Sequence, residues 1–364
     1  LAFGAGICLN SFYQNSNKAY LMYTVTLQPS GLQFKVEENE NILQAGLRQG
    51  VRLPYSCQGG TCGACAATII EGAVDYPVEP LGLAPFDQER GVTFLCQAVA
   101  LSDLVLNSPS VGTAQEIQVK TLPARVEKMR KLCHDVMELT LKLPASERLN
   151  YYAGQYIDIL LSNNRRRSFS IANAPHESQY LELHVRHVPN GYFTTHVFEQ
   201  MQEKALLRIE GALGQFYLRE VNRPLLLVAG GTGIAPIKAM LEDLRNRNLT
   251  PRIFLYWGVR AKEDLYIEVL LKDWAARYPN LVYVPVLSEP LPTDQWEGRT
   301  GWVHDAVLQD FADLSLFDVY LSGPPPMISA AKSTFVAKGA VPEQMYSDSF
   351  EYGVDTLKAM AAKV

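Results

Sequence analysis

Apolar and polar residues alternate near the start of the chain, and this period of two predicts strands. Tyr23, Val25 and Leu27 form one alternating run, and Leu32, Phe34 and Val36 form another. The Pro29-Ser30-Gly31 turn between them predicts a hairpin. Ile42, Leu43 and Leu47 then follow the helical period, with Asn41 placed as N-cap and Gly50 placed to stop the helix. From Ile117 to about Glu220 short strands recur without long helical periodicity. They run from Val136 to Leu143, Gln155 to Leu161, Arg167 to Ile171, Tyr180 to Val185 and Ala205 to Glu210. Many short strands separated by turns predict a small antiparallel barrel.

At Arg223 the texture changes to buried strand, glycine turn and helix: Leu225 to Ala229, then Gly230-Gly231-Thr232-Gly233, then a helix through Leu241 and Leu244. Strands from Ile253 to Gly258, Leu281 to Leu287 and Phe317 to Ser322 alternate with helices near Leu265 to Arg277, Val303 to Asp310 and Met327 to Lys338. A final strand runs from Gln344 to Phe350. This alternation predicts a doubly wound parallel sheet.

The length of 364 residues supports two or three domains, and 48% hydrophobic with 20% charged residues excludes a disordered chain. A net charge of -5 argues against a general nucleic-acid binder, and no apolar run approaches the length of a membrane span. Residues 22–112 hold nine acidic and four basic residues, which is -5 and equals the net charge of the whole chain. That imbalance predicts a separate module with its own docking face, suited to a partner with a basic surface. A Ser, Pro, Gly and Thr segment between Ser108 and Gln118 predicts a linker, so the expected domains are 22–112, 113–220 and 221–350. Residues 1–21 and 351–364 are set outside these domains. The apolar patch from Phe3 to Leu9 has no basic residues before it, unlike a secretory leader.

Six cysteines are too sparse for a secreted disulfide scaffold, so a reducing cytoplasm is expected. Three of them crowd into Cys57-Gln-Gly-Gly-Thr-Cys62-Gly-Ala-Cys65, and Cys96 follows after thirty residues. This is the C-x4-C-x2-C…C spacing of plant-type 2Fe-2S ferredoxins. Gly59, Gly60 and Gly63 would let the backbone approach an anionic cluster and reach positive φ, while Cys96 would arrive from a distant strand. Structural zinc is the rival reading, but zinc ribbons use paired C-x2-C knuckles. Cys8 and Cys133 lack a partner pattern and read as free thiols.

In the barrel region, Arg165-Arg166-Arg167-Ser168-Phe169-Ser170 places Arg167 and Phe169 on one strand face and Ser168 and Ser170 on the other. A flavin needs a cation at its pyrophosphate, an aromatic ring on its isoalloxazine and a hydroxyl at its reactive nitrogen. The same run would also serve as a solvated basic loop. Beyond Pro189-Asn190-Gly191, the segment Tyr192-Phe193-Thr194-Thr195-His196 opens a helix, either as a pyrophosphate site or with Thr as an ordinary N-cap. In the third module, Gly230-Gly231-Thr232-Gly233-Ile234-Ala235-Pro236 matches only the first two glycines of G-x-G-x-x-G. Ser322-Gly323-Pro324-Pro325-Pro326-Met327 follows a strand at the carboxyl edge, where such sheets bind ligands. Phe350 either covers a flavin or simply packs.

In this order, the cysteines, the Arg-Ser-Phe-Ser run, the glycine turn, Tyr256-Trp257-Gly258 and the Ser-Gly-Pro-Pro-Pro-Met loop resemble the ferredoxin-NADP reductase superfamily. The likeness is to its branch with an N-terminal plant-type ferredoxin domain, and it covers residues 22–350. Arg167 to Pro175, Leu183-His184-Val185-Arg186 and Ser347-Asp348-Ser349-Phe350 are similar to the CDP-6-deoxy-glucoseen reductases of dideoxysugar biosynthesis. The resemblance implies a β-grasp ferredoxin, a six-stranded antiparallel FAD barrel and an α/β doubly wound nucleotide-binding domain. It implies that Arg167, Phe169, Ser170, Val185 and Thr194 hold FAD, with Ser168, Gly191 and Phe193 beside them. Thr232, Gly233, Gly323 and Met327 would line the nicotinamide nucleotide, with Gly231 in the same turn.

Ser170, Ser322 and Phe350 are the expected catalytic residues. Phe169 stands where the family usually has Tyr, and Ser322 where it usually has Cys. The implied activity carries electrons from NADH through FAD and the 2Fe-2S cluster to a partner enzyme, a deoxysugar dehydrase. Arg260 and Lys262 would suit the 2′-phosphate of NADPH, whereas the resemblance favours NADH. The same parts build the reductases of aromatic-ring dioxygenases and di-iron monooxygenases, and a redox sensor would hold the same cofactors without turnover.

Overall fold

The computed structural model describes residues 22–51, 53–55, 58–60, 63–108, 119–162, 165–177 and 179–350. Val25 on strand Met22–Gln28 pairs with Phe34 on strand Gln33–Glu37, the Leu27 N–H donates to the Leu32 carbonyl at 2.8 Å, and Val25, Leu27, Phe34 and Val36 are buried. The hairpin is the predicted one. Helix Ile42–Arg48 packs across this sheet, and the Asn41 side chain accepts from the Gln44 N–H at 2.8 Å, as a capping residue should. The sheet has five strands in the order Gln33–Glu37, Met22–Gln28, Leu104–Asn107, Ala66–Glu71, Val92–Phe94, with Met22–Gln28 and Leu104–Asn107 parallel at its centre. One helix grasped by such a sheet is the β-grasp arrangement.

The second sheet has six antiparallel strands in the order Arg166–Ser170, Tyr156–Leu160, Leu206–Leu213, Lys120–Lys131, Val136–Lys142, Tyr180–Arg186. A bridge between Ile171 and Leu183 joins the two end strands and closes the barrel. Closure removes the exposed edges, and Leu139, Leu141, Ile157, Ile159 and Val185 fill the interior. Strand Lys120–Lys131 is an addition to the five read from the sequence. Its apolar side is marked only by Leu122, Ala124 and Val126, and Pro123 sits opposite Arg208 in the ladder. Six charged residues and a proline hide the alternation there.

The third sheet is parallel throughout, in the order Arg299–Thr300, Leu281–Leu287, Ile253–Val259, Leu225–Gly230, Asp318–Gly323, Met345–Ser349. Every residue of Leu225–Gly230 is buried, as a central strand covered on both faces requires. Chain order reverses between Leu225–Gly230 and Asp318–Gly323, which creates the crevice where ligands bind such sheets. Several element ends differ from the sequence reading. The helix expected from Leu265 to Arg277 starts at Glu268 and runs to Arg277, after a short 3-10 turn at Lys262–Asp264. The last helix is Pro325–Val336, because prolines are tolerated in a first turn whose N–H groups lack helical partners anyway. The last strand ends at Ser349, and Phe350 lies just beyond it.

The barrel and the parallel-sheet module share apolar packing: Ala153, Phe216 and Leu218 lie in one cluster with Ile237, Met240 and Leu241. The β-grasp module meets the parallel-sheet module through Asp87 with Lys332 at 3.3 Å and Arg90 with Glu343 at 2.9 Å. Among the described residues, no helix is long and apolar enough to cross a membrane.

Candidate functional site

Cys65 and Cys96 are each 3% exposed, while Cys57 and Cys62 lie outside the described residues. Cys96 stands on a turn after strand Val92–Phe94 rather than on a strand, because the chain must reverse there to meet the cysteine loop. Two hydrogen bonds hold the turn against that loop: Leu95 N–H donates to the Cys65 carbonyl at 3.2 Å, and the Gln97 amide donates to the Gln58 carbonyl at 3.0 Å. Gly60 and Gly63 adopt the expected positive φ; Gly59 does not, and Gln58 adopts it instead. A Cβ at Gly60 would lie 2.7 Å from the Gln97 side chain and 3.1 Å from Pro80, so this backbone must stay bare. Two buried cysteines on segments that are hydrogen-bonded to each other fit an iron-sulfur centre. Cys133 is different: its thiol lies 3.4 Å from the Asp135 carboxylate and burial pushes its pKa up, which disfavours the reactive thiolate.

Among the arginines of the Arg165-Arg166-Arg167 run, packing separates the two faces of the strand. Arg166 is ion-paired with Asp158 at 3.4 Å and with Glu210, and the Ser168 hydroxyl donates to Asp158 at 2.6 Å. Both are therefore committed to the barrel's own carboxylates, so the structure does not bring Ser168 to the ligand edge. Arg167 and Phe169 project from the opposite face of the strand, half-buried, and the Phe169 ring leans on Phe193 at 5.4 Å. Phe193 and Val185 lie in the barrel core at 2% and 0% exposure, so they support this face from below.

Helix Tyr192–Glu199 begins at Gly191 with no side-chain cap. The Thr194 hydroxyl accepts from Val188 N–H at 3.1 Å and donates to the Val188 carbonyl at 3.2 Å, which shapes the preceding loop and leaves the helix-start N–H groups open. Beside them is a cavity of about 750 Å³ lined by Leu161, Asn190, Gly191, Tyr192 and Arg208. Arg165 lies over the Tyr192 ring at 4.1 Å, a second cation that the sequence reading left unassigned. Cations, an aromatic face, an uncapped helix start and this cavity fit FAD.

At the nucleotide crevice, Gly231–Gly233 forms one 3-10 turn between strand Leu225–Gly230 and helix Ile234–Asn246. The Trp257 indole N–H donates to the Gly231 carbonyl at 2.8 Å and anchors that turn. A Cβ at Gly233 would sit 2.0 Å from the Ser322 carbonyl oxygen, so only glycine lets the turn approach the neighbouring strand. Met327 caps Gly230 from the helix after Gly323, and Thr232 is half-exposed at the mouth. Arg186, also unassigned from sequence, reaches the Gly231 turn between Asp135 at 3.4 Å and Asp264 at 3.8 Å. A cation beside a bare glycine turn fits a dinucleotide pyrophosphate.

The two ligand sites meet along one row. Ala229, Ser322 and Asp348 are lateral neighbours on adjacent strands, and the Ser170 hydroxyl of the barrel lies 3.4 Å from Asp348. Ser322 is fully buried, and its hydroxyl has no hydrogen-bond partner among the described residues, an orphan that suits a ligand's polar edge. Phe350 donates its N–H to the Gly323 carbonyl at 2.9 Å and stands half-buried at the same edge. Loss of water around Asp348 pushes its pKa up to about 7, although the Ser170 hydrogen bond lowers it.

Three domain families match the chain in this order: a 2Fe-2S iron-sulfur cluster binding domain over residues 25–101, an oxidoreductase FAD-binding domain over 123–217 and an oxidoreductase NAD-binding domain over 227–333. The chain is 42% identical to the CDP-6-deoxy-L-threo-D-glycero-4-hexulose-3-dehydrase reductase of Yersinia pestis over 326 residues, covering 90% of this chain and 98% of that one. The chain belongs to the ferredoxin-fused, FAD- and NAD-dependent reductases. It is also similar to the phenol 2-monooxygenase reductase component DmpP of Pseudomonas sp. strain CF600, at 33% identity over 92% of this chain and 96% of that one. The cytochrome P450 reductase GcoB of Amycolatopsis shares its architecture with a TM-score of 0.69 at 30% identity, over 90% and 98% of the two chains. This reductase is therefore an NAD(P)H-dependent oxidoreductase with FAD and a 2Fe-2S cluster.

Asp348 supplies a pH prediction. Below about pH 7 its carboxyl is neutral; above that pH it places a negative charge beside Ser170 and opposes the arrival of electrons there. NADH-driven ferricyanide reduction is expected to fall as pH rises through this range. Asp348→Asn should stay near the acid-limb rate, roughly tenfold faster than the parent at about one pH unit above the inflection. Because the folded pKa is raised, the folding stability contributed by this group is present at acid pH and is lost as pH rises through about 7. Parallel pH-rate profiles for the two proteins would remove Asp348 from the reaction.

Proposed function

We propose that this reductase takes hydride from NADH and delivers single electrons to a dehydrase acting on a CDP-linked 6-deoxy-hexulose. The observation that carries this reading is the 42% identity over 98% of a relative named for that role, against 33% for a phenol monooxygenase component. FAD bound to the barrel would supply the chemistry that couples a two-electron donor to one-electron carriers. Arg167, with Arg165 nearby, would face its pyrophosphate together with the N–H groups that follow Gly191. Phe169 would lie against its ring, and Ser170 would bond its edge. Cys57, Cys62, Cys65 and Cys96 would ligate the cluster. Thr232, Gly233, Gly323 and Met327 would line the nicotinamide nucleotide, with Ser322 facing it and Phe350 at the junction. The setting would be a reducing cytoplasm, which keeps the thiols available.

NADH is favoured over NADPH by the pairing around the second nucleotide strand. Arg260 lies 3.9 Å from Asp135 and 3.8 Å from Asp264, and Lys262 donates to the Asp294 carbonyl at 3.1 Å. Cations already facing protein acceptors offer less to a 2′-phosphate. The test is reconstitution with a CDP-6-deoxy-hexulose 3-dehydrase and its sugar substrate, following product formation driven by NADH or NADPH. The expected result is NADH-driven turnover at least about tenfold more efficient than with NADPH. The oxygenase reading rests on the monooxygenase relative and the P450 reductase likeness. It would replace ours if an aromatic-oxygenase component, and not the dehydrase, accepted electrons.

A further inference from the structure

The apolar contact between barrel and nucleotide module is non-directional, yet hydride transfer requires the two ligand sites to be held within a fraction of an ångström. One buried cation gives that contact a direction. Lys238 stands on helix Ile234–Asn246, five residues after Gly233, and is only 6% exposed. Its ammonium donates to the Ala172 carbonyl at 3.0 Å, and lies 3.1 Å from Glu182 and 2.8 Å from Glu242. Ala172 is two residues beyond Ser170, so the cation joins the end of the flavin strand directly to the nucleotide helix.

Each acceptor is itself fixed. Glu242 also accepts from the Ala174 N–H at 3.1 Å, so the helix grips the segment Ala172 to Ala174 at both ends. Glu182 is bonded to His184 at 2.8 Å, and His184 in turn to Tyr266 of the nucleotide module at 3.1 Å. Burial disfavours the ammonium, but Glu182 and Glu242 more than offset this and keep it protonated. The network therefore crosses the module boundary at Lys238 with Ala172 and Glu182, at Glu242 with Ala174, and at Tyr266 with His184.

We propose that Lys238 is a positioning residue for hydride transfer, setting the separation between the nucleotide turn at Gly231–Gly233 and the flavin edge at Ser170. The inference rests on the NADH-to-flavin half of the reaction and is independent of which protein accepts the electrons. Removing the ammonium leaves two carboxylates facing each other without a counter-charge across the boundary, and their repulsion widens it. A displacement of about an ångström is enough to cost on the order of a hundredfold in a transfer between preorganised groups.

The test uses the full-length holoenzyme carrying Lys238→Met, with Glu242→Gln as a milder variant that keeps the lysine. Flavin reduction at saturating NADH is followed by stopped flow, NAD+ affinity by titration, and backbone hydrogen exchange at Ala172 and Ala174 by mass spectrometry. For Lys238→Met the expected result is a limiting flavin-reduction rate lowered about a hundredfold, with NAD+ affinity and FAD content within about threefold of the parent. Exchange at Ala174 should accelerate by at least about tenfold as its hydrogen bond loosens. Glu242→Gln should show the same pattern at roughly a tenth of the rate loss, and it decides the matter if Lys238→Met does not fold. A limiting rate within about threefold of the parent in either folded variant would overturn the proposal. So would a rate loss matched by an equal loss of FAD or NAD+ binding, because that pattern belongs to general destabilisation.

Discussion

Cys96→Ser is expected to yield a reductase that retains FAD and reduces ferricyanide from NADH but contains no 2Fe-2S cluster. Cys96 is buried on a turn that is hydrogen-bonded to the cysteine loop at the Cys65 and Gln58 carbonyls. The turn itself should survive, because both bonds are made by its neighbours and not by the cysteine side chain. What would disappear is the proposed fourth thiolate ligand, and a serine hydroxyl remains protonated near neutral pH where a cluster needs an anionic ligand. Metal analysis should fall from two irons per chain to near zero. Reduction of cytochrome c or of the protein acceptor should drop by on the order of a hundredfold or more. Ferricyanide, which takes electrons directly from a flavin, should change by less than about twofold. The ferredoxin core and the barrel core are separate apolar clusters, which is why a lesion in one should spare the other. Zinc in the parent protein, or a Cys96→Ser variant with full cytochrome c activity, would refute the assignment of this residue to the cluster.

Gly233→Ala is the second large effect. The new methyl would be placed 2.0 Å from the Ser322 carbonyl oxygen and 2.5 Å from its carbon, both backbone atoms of a central strand. No side chain can rotate to relieve that contact, so the glycine turn must move away from the switch point of the sheet. Overpacking of this kind costs about 1–3 kcal/mol and sometimes more, corresponding to roughly tenfold to a hundredfold or beyond in nucleotide affinity. NADH-dependent kcat/KM should fall accordingly, with FAD and iron content unchanged. A variant with kcat/KM within about twofold of the parent would mean that the turn relaxes without touching the nucleotide site.

Parts of this site are legible in the sequence because they are local. The cysteine spacing and the glycine turn depend on backbone reach over a few residues, so their residue types carry the chemistry with them. The hairpin and the parallel strands are legible for the same reason, since burial of one face or of both imposes a period on neighbouring positions. Where charge interrupts that period the reading weakens, as in strand Lys120–Lys131 with its internal Pro123. Element ends are equally blurred, because the first residues of helix Pro325–Val336 are prolines that a helix start accepts without any periodic signal.

The pairing of distant residues belongs to the tertiary structure alone. Ser170 and Asp348 are separated by 178 positions, and they meet because barrel closure and sheet order bring two strand ends to one edge. The sequence offers four consecutive polar residues from Arg165 to Ser168, but only packing against Asp158 and Glu210 commits Arg166 and Ser168 to the barrel's carboxylates, while Arg167 lies on the opposite face with its guanidinium donating to the Arg166 carbonyl at 2.7 Å. Lys238 reads as one more polar position on an amphipathic helix until the barrel's Ala172 and Glu182 are placed against it. Short-range spacing and periodicity in the sequence determined the iron-sulfur cysteine loop and the order of the three sheet patterns, while the resemblance to a known superfamily supplied the flavin and the nicotinamide nucleotide. The fold decided how those modules face one another, because contacts between them depend on which surfaces remain after each core has formed.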